Sequence, residues 1–313
     1  MTPTAIPALL RREVLDNRIA FLWTPAVLLA LMLLVVFGAV GIASRLDPSM
    51  HIAFEMEDGT TFEGGGLAHG LNKLAAADPA EQRTAVTVIL HAVTVPVFIA
   101  LPFVIFFTLL SALYEERRDR SILFWKSMPV PDWAEVAAKF AAATLIAPAA
   151  ALAMAVVAQL VAWLVFVAIT AGVGAPLAPW FAALPTVAYQ WLALAAGLLA
   201  WALWAAPVWG WVLFCSAFAP RSPFGFAVVP PLVLVIIESI WFRTHHFSAW
   251  LGKHLLAFPA LEGMPRGEVG AERLITIKLF DMVGSFSDPD LWLGLAIAAF
   301  FLAAATWTRR HAL

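Results

Sequence analysis

Apolar residues run along this chain in long, nearly unbroken stretches, and the polar residues gather between them. Six stretches stand out, at 21–43, 85–113, 140–171, 186–215, 226–242 and 291–308. A soluble helix keeps one polar face, whereas runs of about 18 or more apolar residues match the hydrocarbon thickness of a bilayer. The pattern predicts an all-α polytopic membrane protein with six transmembrane helices, forming a single domain over residues 1–313. The third and fourth stretches are longer than a simple crossing needs, so they are expected to tilt, kink or protrude. Pro96, Pro102, Pro148 and Pro207 mark the expected kinks.

The segments between the runs carry their own patterns. In residues 1–20, Ile6, Leu9, Leu10, Val14 and Leu15 alternate with Arg11, Arg12, Asp16 and Arg18. This spacing suits an amphipathic helix in the membrane interface, the alternative being a plain extension of the first span. The run behind it is long and lacks an A-x-A exit, so no cleaved signal peptide is expected. Two longer loops cover residues 44–84 and 243–290. The first should contain a short helix near Leu67–Ala77. The second carries Phe247, Trp250, Leu251, Leu255 and Phe258 on one helical face, to rest on the membrane or pack against span ends.

Composition agrees with the pattern: 62% of the residues are hydrophobic and 13% charged. The distribution of charge sets the orientation. Residues 1–20, 114–139, 216–225 and the tail hold 11 of the 19 Lys and Arg, which places the termini and these loops in the cytoplasm. Arg309 and Arg310 close the last span as a stop signal.

Most catalytic signatures are missing. No G-x-x-x-x-G-K-[ST] loop occurs, so this chain is not expected to hydrolyse a nucleotide by that route. Neither G-x-S-x-G nor H-E-x-x-H is present. His51, His69, His245, His246 and His254 fit no zinc spacing, and no metal is expected. The single cysteine, Cys215, reads as a small apolar packing residue. Glu238 lies inside the fifth run, which makes it either a gate or substrate contact, or a structural group satisfied by Arg243 or a histidine. Trp201 and Trp204 lie too deep for interfacial anchoring. They either line a path for an amphipathic substrate or pack helices, with Trp211 in the same arc and Trp191 and Trp209 elsewhere.

The stretch Tyr114–Trp133, YEERRDRSILFWKSMPVPDW, concentrates eight charged residues between two apolar runs. Read as a helix, it pairs Glu115 with Arg118 and Glu116 with Arg120, each acid on the favourable N-terminal side. Phe124 and Trp125 follow in the apolar ILFW. Pro129 and Pro131 then end the helix, and Asp132 is placed to cap the next one. Either the apolar side chains dip into the interface, or the loop is a docking element of aromatic anchors ringed by charge.

The segment EERRDRSILFWKSMPVPDWAEVAAKF resembles the ABC-2 family of ABC-transporter permeases. The resemblance rests on a glutamate-rich end of the second span at Glu115 and Glu116, an amphipathic stretch at 121–126, the MPV turn at 128–130 and Lys139. Arg120-Ser121 stands where many members have Gly-Thr. The resemblance implies the transmembrane subunit of an ATP-driven exporter in the bacterial inner membrane, paired with a second permease chain as a homodimer. Two separate ATPase subunits would carry the ATP and magnesium, this chain binding no cofactor of its own. The loop 114–133 would be the coupling helix, with Phe124 and Trp125 as anchors. Glu115, Glu116, Arg117, Arg118, Arg120 and Lys126 would supply the surrounding charge. Membrane lipid is the other partner, and no nucleic acid is expected. The competing reading is an ATP-independent secondary transporter or channel; against it stand the few ionisable residues in the spans.

Overall fold

The computed structural model describes residues 5–43, 52–55, 61–64, 67–255 and 286–311. Among them, six helices are long and apolar enough to cross a membrane: Ile19–Ile42, Val95–Arg118, Asp132–Gly172, Ala178–Trp204, Pro223–Phe242 and Pro289–His311. The helix α1 (Ala5–Asp16) precedes them. α2 (Thr24–Ala43) forms most of the first span, α5 (Val95–Ala112) and α6 (Tyr114–Arg118) the second, α8 (Asp132–Ala141) and α9 (Ala147–Gly172) the third. The first long loop holds an antiparallel ribbon, β1 (Ile52–Glu55) on β2 (Thr61–Gly64), so the fold is helical with one small strand pair that the apolar pattern did not signal. It also holds α3 (Leu67–Ala76) and α4 (Pro79–Ala92), the former where a short helix was expected.

Proline dictates where the long helices deviate. α4 ends at Ala92, with Val93 as its C-cap, and α5 restarts with Pro96 in its first turn, so the apolar run 85–113 is two helices. Two π-helical turns, Ile19–Trp23 and Ala142–Ile146, end two residues before Pro25 and Pro148. A proline ring crowds the carbonyl four residues back, and a widened turn relieves the clash. Thr24 and Ala147 accordingly donate their N–H groups five residues back, to Ile19 and Ala142.

The fourth apolar run also divides. After α7 (Ile122–Lys126) in the charged loop and α10 (Ala178–Ala182) come α11 (Leu184–Trp204) and α12 (Ala206–Phe218), broken at Ala205 beside Pro207. The remaining elements are α13 (Pro223–Ile237) with its π turn Glu238–Phe242, α14 (His246–Leu255) and α15 (Pro289–His311). α5, α9, α12 and α15 supply much of the packed centre. On α9, Ala147, Ala151, Ala155, Ala158 and Ala162 form a buried stripe, and small side chains let helices approach without a hydrophobic drive from water. Gly210 does the same between α12 and α15, where a Cβ would meet the Ala298 carbonyl oxygen at 3.3 Å.

Candidate functional site

The charged loop is rooted in α12. The backbone N–H groups of Leu113 and Tyr114 both donate to Ser216 Oγ at 3.0 Å. The Tyr114 hydroxyl donates to the Arg221 carbonyl. Arg117 donates to the carbonyls of Ser216 and Ala219 at 2.8 Å each. The last carbonyls of a helix lack intrahelical donors and carry its negative dipole end, so a guanidinium there satisfies both needs.

The loop then breaks. α6 ends at Arg118, and Arg120 takes a left-handed φ of 57° before α7 begins. This overturns the single charged helix expected over 114–127. Neither Glu115–Arg118 nor Glu116–Arg120 forms among the described residues; Arg118 pairs instead with Asp119 at 2.9 Å. Glu116 turns inward because it is placed on the face that meets α8 and α15.

There it joins a buried ion-pair cluster. The Lys139 ammonium lies 3.0 Å from Glu116 and 3.1 Å from Glu13. Arg309 bridges Glu116 and Asp132, the latter at 3.2 Å. Arg12 grips both oxygens of Glu135 at 2.7 and 3.1 Å and reaches Glu13 at 2.6 Å. Glu13, Glu116, Asp132 and Glu135 are thereby interleaved with Arg12, Lys139 and Arg309, and all but Arg12 and Asp132 are buried. Burial opposes the charge on Arg12, but the hydrogen bonds it donates to Glu135 and Glu13 outweigh it and raise its pKa. The cluster ties α1, the end of the second span, the start of the third and the end of the last into one unit.

Trp125 belongs to the inner side of the loop. The Arg12 guanidinium stacks 4.1 Å above its ring, while Lys126 donates to the Arg310 carbonyl at 3.2 Å. Phe124 meets Trp125 edge-on yet is 61% exposed. With Leu123, Met128 and Trp133 it forms an uncovered apolar patch, flanked by exposed Glu115, Arg118 and Arg120.

The expected charge ring therefore splits in two. Glu115, Arg118, Arg120 and Phe124 face outward, whereas Glu116, Arg117 and, in part, Trp125 and Lys126 hold the loop to the bundle. Asp132 does not cap α8: Pro131 occupies the N-cap position, and Asp132 turns to Arg309. Glu13 and Glu135 escaped notice in the sequence, and Arg12 was read only as part of the polar side of an interfacial helix. The available signal was that Glu13 follows Leu9 by four residues on the apolar face of α1, and Glu135 and Lys139 do the same among the alanines of α8.

The opposite end is built differently. The Glu238 carboxylate accepts the backbone N–H groups of Phe247 at 2.9 Å and Ser248 at 3.2 Å and the Thr244 hydroxyl at 3.2 Å. It caps the first turn of α14, with no bond to Arg243 or a histidine side chain among the described residues. Trp201 and Trp204, each 3% exposed, are packed rather than open. Trp201 donates to the Leu255 carbonyl at 3.2 Å and meets Trp209 edge-on, while Trp204 faces His254. The break at Ala205 resets the helical register, so Trp209 is buried beside Trp201 instead of pointing elsewhere. α14 thus packs against span ends, as one of the two expectations had it; Phe258 and His51 lie outside the described residues. Among the described residues no group of His, Cys, Asp or Glu is arranged to hold a metal ion. Scans against protein-family models, curated proteins and solved structures give no match to this chain.

Proposed function

We propose that this chain is the transmembrane permease subunit of an ATP-driven ABC exporter, moving an amphipathic or hydrophobic substrate. One observation carries the reading. A loop with an uncovered apolar patch, Leu123, Phe124, Met128 and Trp133, is fastened through buried ions to three spans. A partner gripping that patch would displace the spans together, which is what a coupling element must do. The patch suits an apolar groove on a separate ATPase, and its rim of exposed Arg118 and Arg120 suits an acidic border.

In this reading the charged end faces the cytoplasm of a bacterial cell, two permease chains pair in the inner membrane, and two ATPase chains bind below. ATP and magnesium belong to those ATPases. Phe124 is the exposed anchor, and Trp125 transmits its movement to Arg12 and so to the ion cluster.

The test is to purify the full chain with its candidate ATPase and measure ATP hydrolysis with wild-type and Phe124→Ala protein. Loss of complex, or of permease-dependent hydrolysis, in the variant is the expected result. An ATPase that never associates, or associates equally well after changes across 114–133, overturns the proposal.

A further inference from the structure

The consecutive prolines of α13 remove two backbone donors. In a helix the N–H of each residue reaches the carbonyl four residues back, so Pro230 and Pro231 deprive the carbonyls of Phe226 and Ala227 of their helical partners. Both carbonyls are nevertheless bonded, and both partners come from α12. Trp211 Nε1–H donates to the Ala227 carbonyl at 3.0 Å, and the Cys215 thiol donates to the Phe226 carbonyl at 3.4 Å. Trp211 and Cys215 stand four residues apart, on one helix face, and so meet two successive carbonyls.

The ring contacts and the one buried residue of α13 lie before the prolines, although Phe224, Phe226 and Val229 are themselves exposed. Before the prolines α13 is held to the bundle: Ala227 is buried, Phe224 meets Phe106 edge-on and Phe226 meets Phe218. Beyond them Leu232, Val233, Leu234, Ile236 and Ile237 are exposed. The next tie is Glu238, which binds the start of α14.

We propose that Pro230–Pro231 is a hinge in this span and that Trp211 and Cys215 are its latch. The arm 232–242 swings as a unit and draws the start of α14 with it through Glu238. Inside a bilayer a freed carbonyl has no water to turn to, so the latch gives the arm a defined resting angle. The thiol is the weaker donor and releases first; the indole sets the limit of travel. The proposal does not require the exporter reading, because it concerns the motion of one span whatever drives it.

Cys215 is the only cysteine, so Cys215→Ser provides a labelling background that keeps a donor. Spin labels at Ile236→Cys and Leu293→Cys, both exposed positions, report the arm against the last span. The full chain is measured in phospholipid nanodiscs, diluted with unlabelled protein. A single narrow distance population is expected in the Cys215→Ser background. Replacing it by Cys215→Ala adds a second population, and Trp211→Phe in the serine background adds a larger one. Pro230→Ala with Pro231→Ala restores both N–H donors, so the distribution narrows and Trp211→Phe no longer alters it. An unchanged distribution in Trp211→Phe, or equal broadening in the double-alanine background, overturns the latch, since packing alone would then explain the result. If Trp211→Phe fails to fold, the contrast of alanine with serine at 215, with and without the prolines, decides the question by the same criterion.

Discussion

Two sets of ion pairs hold opposite ends of this bundle, with similar distances and different surroundings. At the charged end, Lys139 and Arg309 meet Glu116 where all three side chains are buried. At the other end, Lys253 meets Asp288 at 2.7 Å and Asp290 at 2.8 Å, but all three are partly open to solvent. Distance alone does not rank such contacts. Removing one partner of a buried pair strands a charge away from water, whereas an exposed pair exchanges protein contacts for hydration at little cost. The first end is therefore rigid by electrostatics, and the second depends on packing and caps.

The sharpest way to break this contrast is Lys139→Met, which leaves Glu13 and Glu116 short of a cation. We expect it to cost about 3–5 kcal/mol, measured as denaturation in detergent against wild type. If Lys253→Met proved equally damaging, the distinction between the two ends would be wrong. Next comes Gly294→Ala, because a Cβ there would lie 2.6 Å from His254 Nε2 and 3.4 Å from Pro207. Overpacking of this kind costs about 1–3 kcal/mol, and hydrogen exchange should show α14 loosened while α1 and α8 stay protected.

Trp125→Ala should cost about 0.5–2 kcal/mol through lost stacking on Arg12. Phe124→Ala, at an exposed site, should stay within about 0.5 kcal/mol of wild type. That pair separates holding the loop from presenting it: only Phe124→Ala should spoil partner binding while leaving the melting curve in place.

A similarly small effect belongs to Lys253→Met, about 1 kcal/mol or less and weaker still in high salt. Its pH dependence has a definite sign. The hydrogen bond from Lys253 holds Asp288 below its usual 3.8, so that contribution is present above this value and fades as pH falls through the lowered one. Partial burial works against the Lys253 charge, yet the bonds to Asp288 and Asp290 outweigh it and keep the ammonium above 10.5. The clasp is then complete up to that pH and is lost as pH rises through the raised value. Exchange of the α14 amides between acid and alkaline pH checks the window.

Much of the architecture was legible because run length measures itself against a fixed thickness. Six apolar stretches became six helices of spanning length, and Pro207 marked the bend that divides α11 from α12. Boundaries shifted where capping and proline geometry intervened. The run at 85 is two helices, and the charged loop is two short ones, because Arg120 reverses the backbone where a continuous helix was expected. The exposed half of the candidate site, Phe124 with its outer charges, was reached from residue type together with the family resemblance. The buried half did not. Glu116 was paired on paper with a neighbour four residues away, whereas its actual partners lie 23 and 193 positions along the chain.

By itself, then, the sequence determined that the chain is a helical bundle of membrane-spanning length and that one short loop concentrates its charge. Both follow from local apolar density, which needs no knowledge of neighbours. Only the tertiary structure decided which charges are structural, that Glu238 caps a helix, and that Trp211 and Cys215 serve the carbonyls released by two prolines. The reason is physical. Apolar burial is non-directional and is satisfied by any neighbour, but a buried ion or carbonyl needs one partner at bonding distance, and helix packing alone sets which residue that is.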